Sequence, residues 1–174
     1  ALNYGHAHMT SKWDAVEAHG MEADDLVAIW AYEARELEMP YFVVGIDKDL
    51  LQIPGNHYNF NKKEHSFIDD DAADFNLHMQ CLIGDTSDNI PGVKGIGKVK
   101  ATKILTGIPM KDRYKHVEKA WLEHKAGDPN ITRRLLTMLK SWKEYDDIRQ
   151  HIQDQATVCE QDVRSERQED IQES

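Results

Sequence analysis

Disulfides, membrane spans and internal repeats are all missing from this sequence. Cys81 and Cys159 are its two cysteines. They give no disulfide framework, and a reducing cytoplasm is the default setting. Cys81 sits in an apolar helical pattern and is expected in the core. No apolar run is long enough for a membrane span or a signal peptide, so no membrane partner is expected. Positive charge is scarce as well: 21 lysines and arginines face 31 acids, for a net charge of −10. Such a sum would argue against nucleic acid as a partner, but the distribution of charge matters more than its total.

The distribution is uneven. Between Gly92 and Lys119 stand Lys94, Lys98, Lys100, Lys103, Lys111, Arg113, Lys115 and Lys119, against Asp112 and Glu118 alone. From Glu144 to Ser174 the balance reverses, with Arg149, Arg164 and Arg167 outnumbered by acids throughout. A basic middle therefore separates an acidic first half from an acidic tail. The 174 residues, 40% of them apolar, suffice for one ordinary domain or two small ones. The chain starts at Ala1 without methionine and reaches a functional-looking cluster by residue 22, so it reads as the later part of something longer.

Residues 1–20 are polar and weakly patterned. Leu26, Val27, Ile29, Trp30, Ala34 and Leu37 recur at helical spacing, and Pro40 marks the end of that helix. Tyr41 to Ile46 is a short apolar, β-rich run, read as a buried strand. Ile53-Pro54-Gly55-Asn56 reads as a turn and Tyr58 to Ile68 as one or two edge strands. Asp69-Asp70-Asp71 offers caps for a helix running to about Ile83. Further helices are expected from Gly97 to Leu105, Met110 to Lys125 and Ile131 to Tyr145. The last would carry Ile131, Leu135, Met138, Leu139 and Trp142 on one side. Trp13, Trp30, Trp121 and Trp142 are all read as core residues. Beyond about Gln153 the chain is polar, and disorder or a frayed helix is expected.

Seven carboxylates fall in three clusters: Glu22, Asp24 and Asp25; Asp47 and Asp49; Asp85 and Asp88. Asp47 and Asp49, two apart at an extended strand end, would share one face, with Lys48 pointing away. Asp85 and Asp88, three apart, would meet across one helical turn. Singly, each cluster has an ordinary reading as helix N-terminal acids, loop acids or cap residues. Three in this order, each at an element terminus and with Lys48 their one internal cation, argue for convergence. Converging carboxylates repel unless a cation lies between them. Hard divalent ions such as Mg²⁺ or Mn²⁺ favour oxygen ligands. Two such ions roughly 4 Å apart can activate a water and stabilise the leaving oxygen of a phosphodiester.

Directly after these acids comes Gly92-Val93-Lys94-Gly95-Ile96-Gly97-Lys98, with Lys100 and Lys103 following. Glycines let a backbone approach a phosphate, and a helix start presents free N–H groups to it. The ordinary reading is a glycine-rich turn with solvated lysines. If the loop does bind, its contacts are to nucleic-acid backbone and hence sequence-independent and salt-sensitive.

Together, Gly20-Met21-Glu22-Ala23-Asp24-Asp25, Asp47-Lys48-Asp49-Leu50 with Gln52, and Gly84-Asp85-Thr86-Ser87-Asp88-Asn89 running on to Gly97 resemble the 5′-nuclease family. That family includes the 5′–3′ exonuclease domain of bacterial DNA polymerase I, phage 5′-exonucleases and flap endonucleases. The resemblance extends from about Gly20 to Leu105. It implies a PIN-like α/β nuclease core, partial here, whose C-terminal part would occupy 1–68. A helical helix-3-turn-helix region would occupy 69–150, and an acidic tail 151–174. It further implies Glu22, Asp24 and Asp47 at a first metal ion, Asp49, Asp85 and Asp88 at a second, and Asp25 as a nearby acid. Gly92, Val93, Lys94, Gly95, Ile96, Gly97, Lys98, Lys100 and Lys103 would grip duplex DNA, with K⁺ bound at the hairpin. The implied partner is DNA with a 5′ end or flap, hydrolysed by a monomer with two Mg²⁺ or Mn²⁺ ions. Two departures stand out. The N-terminal aspartates and the helical arch of the family are absent from these residues. The usual Lys-Thr-Ala after the glycine loop is replaced by Lys98-Val99-Lys100-Ala101. A non-catalytic helix–hairpin–helix DNA-binding module and a PIN-type ribonuclease are the competing readings.

Overall fold

A computed structural model describes residues 2–153, with side chains described from residue 7 onward. The tail expected to be disordered lies, from residue 154, outside the described residues. The order is α1 (Leu2–Trp13), α2 (Ala23–Glu36), β1 (Phe42–Val44), a 3-10 turn (Asp49–Gln52), β2 (Gly55–Asn59), β3 (Glu64–Ile68) and α3 (Asp70–Ile83). Then follow β4 (Gly84–Asp85), β5 (Ile90–Pro91), α4 (Lys98–Leu105), α5 (Met110–Glu123) and α6 (Pro129–Leu136). A further helix, α7, covers 142–153 among the described residues. This is the mixed α/β class expected, with helices in the majority. A helix at 2–13 is a gain over the sequence reading, which found no pattern there.

β1 pairs in parallel with β2, and β2 pairs antiparallel with β3. Gly55 and Asn56, expected in a turn, are instead the first residues of β2. The strand from Tyr41 to Ile46 is shorter than expected and buried on one face alone. Val43 is in the core, whereas Phe42 and Val44 are more than half exposed.

The main core is helical. Leu77, Cys81 and Leu82 of α3 meet Ala101 and Leu105 of α4, Val117 and Trp121 of α5, and Leu136 of α6. Each large aliphatic side chain in it contributes about 1.5–3 kcal/mol by leaving water. The Trp121 indole N–H also donates to the Cys81 carbonyl at 2.9 Å. Burial pushes the Cys81 thiol up to about 12, so Cys81 is an inert core residue. A smaller core joins Ala28 and Ala31 of α2 to Val43, Ile53 and Met138. α3 touches both the 3-10 turn and α4–α6, and thereby ties the two cores together. Its start is fixed as expected: the Asp69 carboxylate accepts from the Ala72 amide at 2.7 Å.

The single helix expected over Ile131 to Tyr145 is broken. The Thr137 hydroxyl donates back to the Arg133 carbonyl at 2.7 Å, closing α6. A capping arrangement then opens α7: the Ser141 hydroxyl accepts from the Glu144 amide, and the Glu144 carboxylate accepts from the Lys140 amide. In consequence Met138 is buried while Ile131, Leu135 and Trp142 are exposed, the reverse of one shared apolar face. Among the four tryptophans Trp121 alone is core; Trp13, Trp30 and Trp142 are exposed.

Candidate metal centre and glycine loop

The 3-10 turn presents one acid and the β4–β5 hairpin two. Carboxylate oxygens of Asp49, Asp85 and Asp88 lie within 4.8 Å of one another. The hairpin, not a helical turn, brings Asp85 and Asp88 together. Asp85 pairs with Ile90, leaving a four-residue loop in which Asn89 adopts a left-handed φ of 57°. The Asp85 Oδ1 accepts from the Ser87 amide at 2.8 Å and so shapes that loop.

Asp85 is the most enclosed of the acids, with a side chain 1% exposed. Its Oδ2 is buried without a hydrogen-bond partner. Lys48 stands beside that oxygen at 2.8 Å as its ion-pair partner. Lys48 was expected to point away from the acids. It turns toward them because its backbone is helical (φ −70°, ψ −25°), so the alternation of an extended strand does not apply. The Asp47 carboxylate accepts from the Asp49 amide at 3.0 Å, which starts the 3-10 turn.

Asp49 is held from behind by a relay of amides that the sequence reading missed. Leu136 ends α6, and its carbonyl accepts from Gln52 Nε2 at 2.9 Å. The same Nε2 donates to Gln80 Oε1 at 2.5 Å, and Gln80 Nε2 donates to Asp49 Oδ1. The available signal was a glutamine inside the apolar run Leu77 to Leu82 of α3.

The charges act on one another as converging acids should. Repulsion from Asp24, with burial and further repulsion from Asp25, Asp88 and Asp49, raises Glu22 above the usual carboxylate range. Burial chiefly raises Asp24, helped by Asp25 and Asp47. Burial also raises Asp49, reinforced by Asp47 and Asp85 and opposed by the Gln80 hydrogen bond. Asp85 goes the other way, lowered first by Lys48. Among the described residues, no other three acids, histidines or cysteines converge as closely, and Glu22, Asp24 and Asp47 do not. Asp25 is engaged elsewhere: its carboxylate accepts from the Leu139 amide at 2.9 Å and anchors the chain between α6 and α7.

The donor set suits a hard divalent ion. It is all carboxylate, it carries more negative charge than Lys48 cancels, and one of its oxygens, Asp85 Oδ2, is buried with a cation beside it.

Beyond the hairpin, Val93 and Ile96 are buried and fasten the loop to the helical core. Their side chains face that core and anchor the loop to it. Gly95 and Gly97 border open space, and Gly95 has a φ of 82°. Lys94, Lys98 and Lys103 are exposed, while Lys100 Nζ donates to the Gly95 carbonyl at 2.8 Å. The loop leads into α4, whose first amides are free of side-chain caps.

The fold is that of a phage 5′-nuclease. The chain superposes on bacteriophage T5 5′-exonuclease solved with bound zinc, with a TM-score of 0.58 and 17% identity over 78% of this chain and 56% of that one. It also superposes on T5 flap endonuclease solved with DNA and metal ions, with a TM-score of 0.55 and 17% identity over 76% of this chain and 57% of that one. By sequence its homologues are bacterial DNA polymerases I and a 5′–3′ exonuclease. Identity is 35% over 108 residues with DNA polymerase I of Borreliella burgdorferi, covering 56% of this chain and 12% of that protein. With the 5′–3′ exonuclease of Buchnera aphidicola subsp. Schizaphis graminum it is 30% over 110 residues, covering 58% and 38%. The chain thus spans well under half of the curated relatives it matches. No family model matches it.

Proposed function

We propose that this chain is the metal-binding and duplex-binding part of a 5′–3′ exonuclease or flap endonuclease, a hydrolase of DNA phosphodiesters near 5′ ends. The observation that carries the reading is the Asp49–Asp85–Asp88 convergence, with the Asp85 side chain buried and a cation, Lys48, already drawn to its Oδ2. These three would hold one Mg²⁺ or Mn²⁺; Glu22, Asp24 and Asp47 would contribute to a second. Such ions, when bound, supply an activated water and charge stabilisation at the leaving oxygen. Gln80 and the Ser87 amide fix two of the acids before any ligand arrives, which spares reorganisation at the moment of reaction.

The glycine loop with Lys94, Lys98 and Lys103 would hold the DNA backbone without reading sequence, with K⁺ as a further occupant. Its placement between α3 and α4 supports a helix-3-turn-helix over 69–150, following the end of the nuclease core at 68. Asp25 supports the site from outside, through Leu139. A monomer working in the cytoplasm is the setting this reading implies.

The test is a 5′-labelled flap substrate with Mg²⁺, using the complete open reading frame that contains this chain. Cleavage that Asp49→Ala abolishes, with duplex binding retained, is the expected result. Duplex binding without cleavage would leave a binding module, and cleavage of RNA alone a ribonuclease.

A further inference from the structure

Resting on the metal reading above, the geometry assigns a role to Lys48 as well. We propose that Lys48 is a displaceable internal cation. It neutralises the Asp49–Asp85–Asp88 group in the metal-free protein and yields Asp85 to an incoming divalent ion, so it sets the metal affinity of that group.

Three observations support this. First, the Asp85 oxygens are treated differently. Oδ1 is fixed by the Ser87 amide at 2.8 Å, whereas the buried Oδ2 has the Lys48 ammonium beside it, also at 2.8 Å. The ammonium therefore stands where a cation ligand of Oδ2 would stand. Second, the partners are unequally held. The Asp85 side chain is 1% exposed and that of Lys48 55%, so the acid is fixed and the cation has room to leave. Third, the residue type fits. Lysine is a compact charge on a flexible stem, without the planar fork by which arginine locks a carboxylate. Three carboxylates with oxygens within 4.8 Å need a positive charge among them. A single ammonium relieves that repulsion only in part, and a divalent ion relieves more of it.

Lys48 is accordingly a positioning residue, and its effect is read on binding. Mn²⁺ is titrated calorimetrically into the full chain and into Lys48→Met and Lys48→Arg, with metal-free melting measured in parallel. Lys48→Met should melt lower without metal yet bind Mn²⁺ about fivefold tighter, the factor equivalent to an ordinary half-exposed ion pair. Lys48→Arg should bind Mn²⁺ more weakly than wild type. Equal or weaker binding by Lys48→Met while wild type still binds overturns the proposal, as does unchanged metal-free melting. Absence of Mn²⁺ binding in wild type and variants alike removes the metal reading and this proposal together. Should Lys48→Met precipitate, Lys48→Gln poses the same question with a polar neutral side chain.

Discussion

Asp49, Asp85 and Asp88 stand on a 3-10 turn and a hairpin, both braced by the helical core. Glu22, Asp24 and Asp47 stand at the start of α2 and just beyond β1, where the sheet leaves Phe42, Val44 and Ile46 exposed. The first set converges and the second does not. Gathering like charges costs free energy, so it happens where other groups oppose the repulsion. The first set has Gln80, the Ser87 amide and Lys48 for that purpose. The second has little beyond the Asp25 amide, 3.2 Å from Asp24, and the turn that Asp47 closes.

The sharpest way to break this comparison is to remove one acid from each set. Asp85→Ala strands the part-buried Ser87 amide and the Lys48 charge, and should cost about 2 kcal/mol in chemical denaturation. Asp47→Ala, at an exposed turn, should cost less than about 1 kcal/mol. Equal losses would mean that the two sets are held alike. A middle-sized effect is expected at Gln80. Gln80→Leu keeps most of the volume but takes one acceptor from Gln52 Nε2 and the donor from Asp49 Oδ1, for about 1–2 kcal/mol and weaker Mn²⁺ binding. A variant with wild-type stability and affinity would show that the relay braces nothing.

The smallest effect concerns Glu22, whose carboxyl is raised by its neighbours. A raised carboxyl stabilises the fold below its unfolded pKa and loses that contribution as pH rises through the folded value. Metal-free Glu22→Gln should therefore melt slightly above wild type at neutral pH, and the two should converge in acid. A gap that widened on acidification would reverse the sign and contradict the repulsion.

Much of this was legible in the residues themselves. Apolar spacing with Pro40, Asp69 and the glycines marked α2, α3, α4 and α5 to within a few positions, because local pattern and tertiary packing agree there. The break before α7 was written in Ser141 and Glu144, but the apolar spacing from Ile131 to Trp142 argued for continuity. Which signal wins depends on whether Met138 finds a core, and it does so in the smaller one, with α2, Val43 and Ile53. Lys48 was misdirected for a smaller reason: one residue's backbone is helical instead of extended. Gln80 could not be assigned, since its partners Gln52 and Asp49 lie 28 and 31 positions away. Site geometry built from such long-range contacts has no local signature.

Gly84 and Gly92 meet backbone to backbone across the hairpin, so closely that a methyl group on either would overlap the other's chain. Gly84 immediately precedes Asp85, and Gly92 opens the glycine loop. The contact works as a rivet with no slack. Under the proposed function, a phosphate backbone held by the loop would be offered to Asp85 at one fixed reach. The molecule carries its own ruler, and the backbone of two glycines sets its scale.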